Sequence, residues 1–330
     1  INMKKLILLA LILLPLITFS QSQLGSDFDG EAAGDQSGYS VSIDSDGSHV
    51  AIGGLYNDGT ASNAGHVRVY EYSGSAWSQL GNDIDGEAVN DNFGYSVSID
   101  SDGSHVAIGA YLNNGNGSDS GHVRIYEYSS GSWSQVGNDI DGEAAYDYSG
   151  YSVSIDSDGS HVAIGAPLNN GNNGSDSGHV RIYSWNGSAW AQVGNDIDGE
   201  AASDRSGWSV SIDSDGSHVA IGAFSNDGNG SSAGHVRVYE YSSGSWTQVG
   251  SDIDGEAAND YSGYSVSIDS DGSHVAIGAY NNDHMGSNAG HVRVYSWDGS
   301  AWTQYGGDID GEAAGDKSGY SVSIDSDGSH

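Results

Sequence analysis

Large and small side chains alternate in short runs along most of this chain. In Tyr95-Ser96-Val97-Ser98-Ile99 the bulky residues fall at every second position, with serine between them. A period of two marks a β-strand with unlike faces. Asp100-Ser101-Asp102-Gly103 follows, a hairpin turn in which glycine supplies positive φ and aspartate bonds the backbone. His105-Val106-Ala107-Ile108-Gly109 alternates again, with Val106 and Ile108 on one face and Ala107 opposite. A Gly/Asn/Ser loop leads to a third run, His122–Tyr128, and Trp133–Val136 makes a fourth. The pattern predicts four short strands per unit and no helix, because no run carries a 3.6-residue period.

The unit recurs. Copies begin at Leu24, Leu80, Val136, Val193, Val249 and Tyr305, a spacing of 56 or 57 residues. A period of this size decides the architecture before any local assignment does. A lone four-stranded sheet of this length buries too little apolar surface to stand by itself. Stacked against its own copies, each sheet buries both its bulky and its small face. The expectation is therefore an all-β fold, a β-propeller of four-stranded blades, with five full blades and parts of another in this chain.

Composition sharpens the class. Nine basic residues face 45 acidic ones, a net charge of −36. Nucleic-acid binders need basic patches, so nucleic acid is excluded as a partner, and an anionic membrane surface is disfavoured. Divalent cations suit this balance. Lys4 and Lys5 precede an apolar run, Leu6–Leu16, with Thr18 and Ser20 placed for cleavage before Gln21. This reads as a signal peptide over 1–20, with the propeller over 21–330, exported and without membrane insertion after cleavage. The absence of cysteine fits a large exported fold that needs no disulfides. The chain opens two residues before Met3 and halts inside a repeat, which reads as a fragment of a longer protein.

The stretch "FGYSVSIDSDGSHVAIGA" at Phe93–Ala110, with Gly165-Ala166-Pro167 in the next unit and "GHVRVYEY" in others, resembles the FG-GAP repeat. That repeat builds the integrin α-subunit head and many secreted bacterial propellers. The resemblance covers Leu24–His330. It implies an extracellular ring of seven blades, with six the alternative, serving adhesion or recognition. Many relatives bind calcium in the hairpin between the first two strands. Here that hairpin is Asp100-Ser-Asp102-Gly103-Ser-His105, and two of the ligand positions are missing.

A second acidic cluster lies between units. Asp83, Asp85, Glu87 and Asp91 stand at positions 1, 3, 5 and 9 of one linker. The same set recurs at Asp139, Asp141, Glu143 and Asp147; at Asp196, Asp198, Glu200 and Asp204; and at Asp252, Asp254, Glu256 and Asp260. Flanking copies begin at Asp27 and Asp308. Four hard oxygens at this spacing suit Ca²⁺. The alternative is a capped turn whose acids bond backbone N–H groups or a neighbouring blade. Arg68, Arg124, Arg181, Arg237 and Arg293 sit mid-strand among apolar residues and are expected buried and paired. The histidines that open strands two and three, His49 and His66 with their copies, are expected to be satisfied strand-end groups. Trp77, Trp133, Trp190, Trp246 and Trp302 read as packing anchors at blade edges.

Nearly every polar group repeats by rotation. The singular residues Arg205, His284, Met285, Lys317, Trp185 and Pro167 make neither a triad nor a metal set. No enzyme is expected on this ground. The sequence reading is a secreted or cell-surface, non-catalytic binding and adhesion module. Its partner, an extracellular protein or a carbohydrate, would meet the face of the 2–3 and 4–1 loops. The alternatives are a structural repeat domain of a larger secreted protein and the substrate-binding propeller of a polysaccharide-active enzyme.

Overall fold

Unlike faces on each strand dictate face-to-face stacking, and the computed structural model, which describes residues 23–330, shows it. The expected signal peptide lies outside the described residues. Five antiparallel sheets follow one another, and no helix occurs among the described residues. In the second blade the strands are Ser96–Ile99, His105–Ala110, His122–Ser129 and Ser132–Gln135, paired in that order. The innermost strands of the other blades are Ser37–Ile43, Ser152–Ile155, Ser209–Ile212 and Ser265–Ile268. The sixth copy of the motif, from Tyr320, forms no strand.

One element departs from the expectation. Each sheet has a fifth segment, Ile140–Asp141 in the second blade, which pairs with His122 and Val123. Trp133 and Gln135 pair with the other end of the same strand, opposite Tyr128 and Tyr126. The outer strand is thus one strand broken in two by a bend at Gly137, whose φ is +76°. Trp185 and Trp190 of the next blade pack against this bend, and a Cβ at Gly137 would meet Trp185 at 2.7 Å and Trp190 at 3.1 Å. What reads in sequence as the start of a linker is the second half of the outer strand.

The core lies between blades. Ala107, Val123, Ile125 and Ile140 of the second blade pack on Val153, Ile155, Val162 and Ile164 of the third. The small face carrying Ala107 meets the bulky face of its neighbour, so each sheet seats on the next. Strand-one serines stitch the same joint. Ser96 Oγ donates to the Gly150 carbonyl at 2.8 Å, and Ser98 Oγ accepts from the Ile155 N–H at 3.1 Å.

Six equivalent isoleucines, Ile43, Ile99, Ile155, Ile212, Ile268 and Ile324, line one axial cavity of about 220 Å³. This places the innermost strands around a common axis. At the other end of that axis Tyr39, Tyr95, Tyr151, Trp208, Tyr264 and Tyr320 form an aromatic chain, successive ring centroids 4.4–5.6 Å apart. The fold is a multi-bladed β-propeller. Among the described residues no helix is long and apolar enough to cross a membrane.

Candidate metal centre

Because the outer strand doubles back onto strand three, each blade brings its first linker acids beside its own third strand. Asp254 lies directly across the ladder from His235. His235 is 1% exposed, and both its ring nitrogens lack a hydrogen-bond partner. Its Nδ1 points between two carboxylates, 3.9 Å from Glu200 Oε2 and 3.8 Å from Asp252 Oδ2. Glu200 comes from the linker before the blade and Asp252 from the linker after it. Three segments therefore meet at one imidazole.

The other oxygen of each carboxylate is tethered. Gln248 Nε2 donates to Asp252 Oδ1 at 2.7 Å, and Arg237 Nη1 lies 3.6 Å from Glu200 Oε1. Arg237 Nη2 also donates to the main-chain oxygen of Asp198 at 2.9 Å. The arrangement recurs as Glu31–His66–Asp83, Glu87–His122–Asp139, Glu143–His179–Asp196 and Glu256–His291–Asp308, each with donor atoms within 4.8 Å of one another.

Burial, then the neighbouring arginine, pushes the imidazoles of His122, His179 and His235 down to about 4. They are neutral at pH 7 and keep a free lone pair. Burial and the adjacent aspartate raise Asp85, Asp141 and Asp254. A buried neutral imidazole and paired carboxylates are metal-ligand chemistry. The His/Asp/Glu clusters could coordinate a divalent cation such as Ca²⁺. A bound cation would supply Lewis acidity and charge compensation at the joint.

The structure divides the sixteen predicted linker acids by position rather than gathering each linker's four. First-position Asp83, Asp139, Asp196 and Asp252 turn to the cluster of their own blade. Fifth-position Glu87, Glu143, Glu200 and Glu256 serve the next blade. Third-position Asp85, Asp141, Asp198 and Asp254 sit across from the histidine of their own blade. Ninth-position Asp91, Asp147, Asp204 and Asp260 are buried caps. Asp204 Oδ2, for example, accepts from the Ala201 N–H and from Asn226 Nδ2, both at 3.0 Å. The capped-turn and ligand descriptions thus apply to different acids of one linker.

The histidines of strand three were expected to be satisfied, yet His66, His235 and His291 each leave Nδ1 without a partner and His122 leaves Nε2 so. Their unpaired state follows from a position only the broken outer strand creates. The usable sequence signal was the repeated "GHVR" facing "DID". The strand-two histidines behave as expected. His105 Nδ1 lies 2.7 Å from Asp100 Oδ2, and the hydrogen bond to Asp100, despite burial, raises its pKa. Ser104 Oγ lies 3.0 Å from the same nitrogen. A nucleophile would need Nε2 instead, so this Ser–His–Asp group is a hairpin clasp.

The FG-GAP repeat description matches residues 84–126, 140–183, 197–239 and 251–295, more than half the chain. The chain belongs to the FG-GAP repeat family. No curated protein matches it. Among solved structures it is similar to Kuenenia stuttgartiensis hydrazine synthase, at TM-score 0.53 and 12% identity, covering 88% of this chain and 78% of that one. It is also similar to the periplasmic gluconolactonase of Pseudomonas aeruginosa, at TM-score 0.53 and 11% identity, covering 80% and 69%. A putative 6-phosphogluconolactonase from Bacteroides fragilis gives TM-score 0.52 and 13% identity, covering 82% and 70%. At these identities the likeness is one of fold.

These findings correct the expected function. The non-catalytic adhesion module, and the exclusion of an enzyme, rested on there being no metal set and no differentiated groups. Each of five joints supplies both, a neutral imidazole between carboxylates beside a guanidinium. The fold is also one that enzymes use. Rotation repeats the cluster but does not make its members alike.

Proposed function

We propose that this chain is the substrate-binding propeller of an exported, carbohydrate-active enzyme, with cation-binding groups on its loop face. The observation that carries the reading is the buried imidazole between two carboxylates at every joint. On the same face Tyr111 and Tyr148 extend the axial aromatic chain outward, their ring centroids 5.4 Å apart. Aromatic bodies with hydroxyl tips present both a stacking surface and hydrogen bonds, which suits a sugar ring. Structures of similar fold include one described as a gluconolactonase and one described as a putative 6-phosphogluconolactonase. A signal-like start and the acidic surface fit an exported location.

The test is turnover. Purified protein is offered sugar lactones and soluble polysaccharides, with divalent cations present or stripped by chelation, while acid release and reducing ends are followed. Cation-dependent turnover, or retention on a polysaccharide column, is expected. Neither response from any substrate would sink the proposal.

A further inference from the structure

We infer that each joint selects a borderline transition cation, of the Zn²⁺ class, over Ca²⁺. The inference rests on the clusters being cation sites and is independent of the carbohydrate assignment.

Donor type decides it. Ca²⁺ takes oxygen ligands, whereas imidazole suits zinc and its neighbours. The nitrogen here is built in. His66, His235 and His291 are 1–2% exposed, and their Nδ1 atoms have no hydrogen-bond partner. An unpaired buried donor or acceptor is costly, and here the cost recurs at one equivalent position. Around it, the carboxylates are oriented alike in every blade. A glutamine two residues past the tryptophan holds Oδ1 of the aspartate: Gln79 on Asp83, Gln135 on Asp139, Gln192 on Asp196, Gln248 on Asp252 and Gln304 on Asp308, at 2.5–2.7 Å. Where His Nδ1 approaches the aspartate, it is Oδ2 that faces it, at 3.6 Å in Asp83 and 3.7 Å in Asp139. The arginine approaches glutamate Oε1, as Arg124 does Glu87 at 3.1 Å and Arg237 does Glu200 at 3.6 Å, leaving Oε2 for the imidazole, 3.9 Å away in Glu200. In the first blade Glu31 Oε2 also accepts from Asn57 Nδ2 at 3.2 Å. Outer groups that hold one oxygen and aim the other orient first ligands in this way.

Charge agrees. Glu200 faces the Arg237 guanidinium, and Asp252 and Asp254 lie beside His235 at the same joint, so three carboxylates gather with one cation. A divalent ion brings the joint to neutrality. A bound ion would also tie together the linker before a blade, its third strand and the linker after it.

Full-length protein stripped with chelator is dialysed against equal Zn²⁺ and Ca²⁺, and bound metal is counted by mass spectrometry. Five Zn²⁺ per chain are expected, one for each histidine cluster, with a rise in Tm that Ca²⁺ does not match. His235→Gln should remove one ion. Gln248→Ala, which leaves all ligands in place, should weaken one site by about 10–100-fold. Should His235→Gln fail to fold, Asp252→Asn reads the same joint. Ca²⁺ bound in preference, no ion retained, or five ions retained by the ligand variants would each overturn the inference. Five Zn²⁺ with no sugar turnover would leave it standing and sink the proposed function alone.

Discussion

Arg237 Nη2 donates to the main-chain oxygen of Asp198, 2.9 Å away in the preceding linker. Arg124 and Arg293 repeat the contact on Asp85 and Asp254 at 3.2 and 3.0 Å. One guanidinium thereby joins two blades through a backbone atom that no side-chain substitution can remove. Arg237→Ala is expected to cost on the order of 2 kcal/mol, since a carbonyl loses its partner and Glu200 its counter-charge. Arg237→Lys should recover only part, because one ammonium cannot serve both. Urea unfolding measures the difference, and equal stability of the alanine variant would remove the register role.

Glycine in the first hairpin answers two demands that can be separated. Gly159 has φ +73°, and a Cβ there would lie 2.6 Å from Cγ of His105 in the preceding blade. Gly131 has φ +89° and nothing within 4 Å of such a Cβ. Gly131→Ala should cost about 1 kcal/mol from backbone strain alone. Gly159→Ala should cost clearly more, because His105 must also move. Indistinguishable denaturation midpoints would mean that inter-blade crowding carries no weight.

Phe93 fills a position that other blades give to serine. It is fully buried, with the Arg124 guanidinium 4.3 Å from its ring centroid. Phe93→Ser should cost about 3–5 kcal/mol through the cavity it leaves. Ser206 and Ser262 occupy the equivalent place with hydroxyls that have no partner. Ser206→Ala should therefore be neutral or slightly stabilising. Calorimetry of the two variants checks the asymmetry.

The two histidine series predict opposite limbs of a pH profile. His122, His179 and His235 have folded pKa values near 4, below the 6.5 of the unfolded chain. The unfolded state binds more protons between those values, so stability falls as pH drops from 6.5 towards 4. His105, His161 and His218 are raised, first by their hydrogen bonds to Asp100, Asp156 and Asp213. Their contribution is complete below 6.5 and is lost as pH rises through the folded value. Metal-free protein should be most stable near neutrality. His122→Gln should flatten the acid limb only, and His105→Gln the alkaline limb only. A profile with no acid limb would contradict neutral burial of the first series.

Much was decided locally and was readable in the residues. The alternation in Tyr95–Ile99, the Asp-Gly turn at Gly103 and the recurrence of both specify strands, hairpins and a stacked ring. The reason is that strand period and turn conformation are properties of a few adjacent residues. The burial of Arg124 followed from its apolar neighbours in one strand. The site did not follow in the same way. The acids of one linker look like one ligand set because they are adjacent in sequence, yet Asp139 and Asp141 stay beside their own blade's third strand while the chain beyond them crosses to the next blade. Asp139 is turned inward to His122, while Glu143 is carried forward to Arg181 of the next blade. Trp185 and Trp190 of the neighbouring blade pack against the bend at Gly137, contacts between residues distant in sequence. Whether a histidine ends satisfied by its own hairpin, as His105 is, or unpaired among carboxylates from two linkers, as His235 is, was settled only when the sheets stacked. Strands form from local pattern, but the company a buried polar atom keeps is decided by which segments the packed ring brings together.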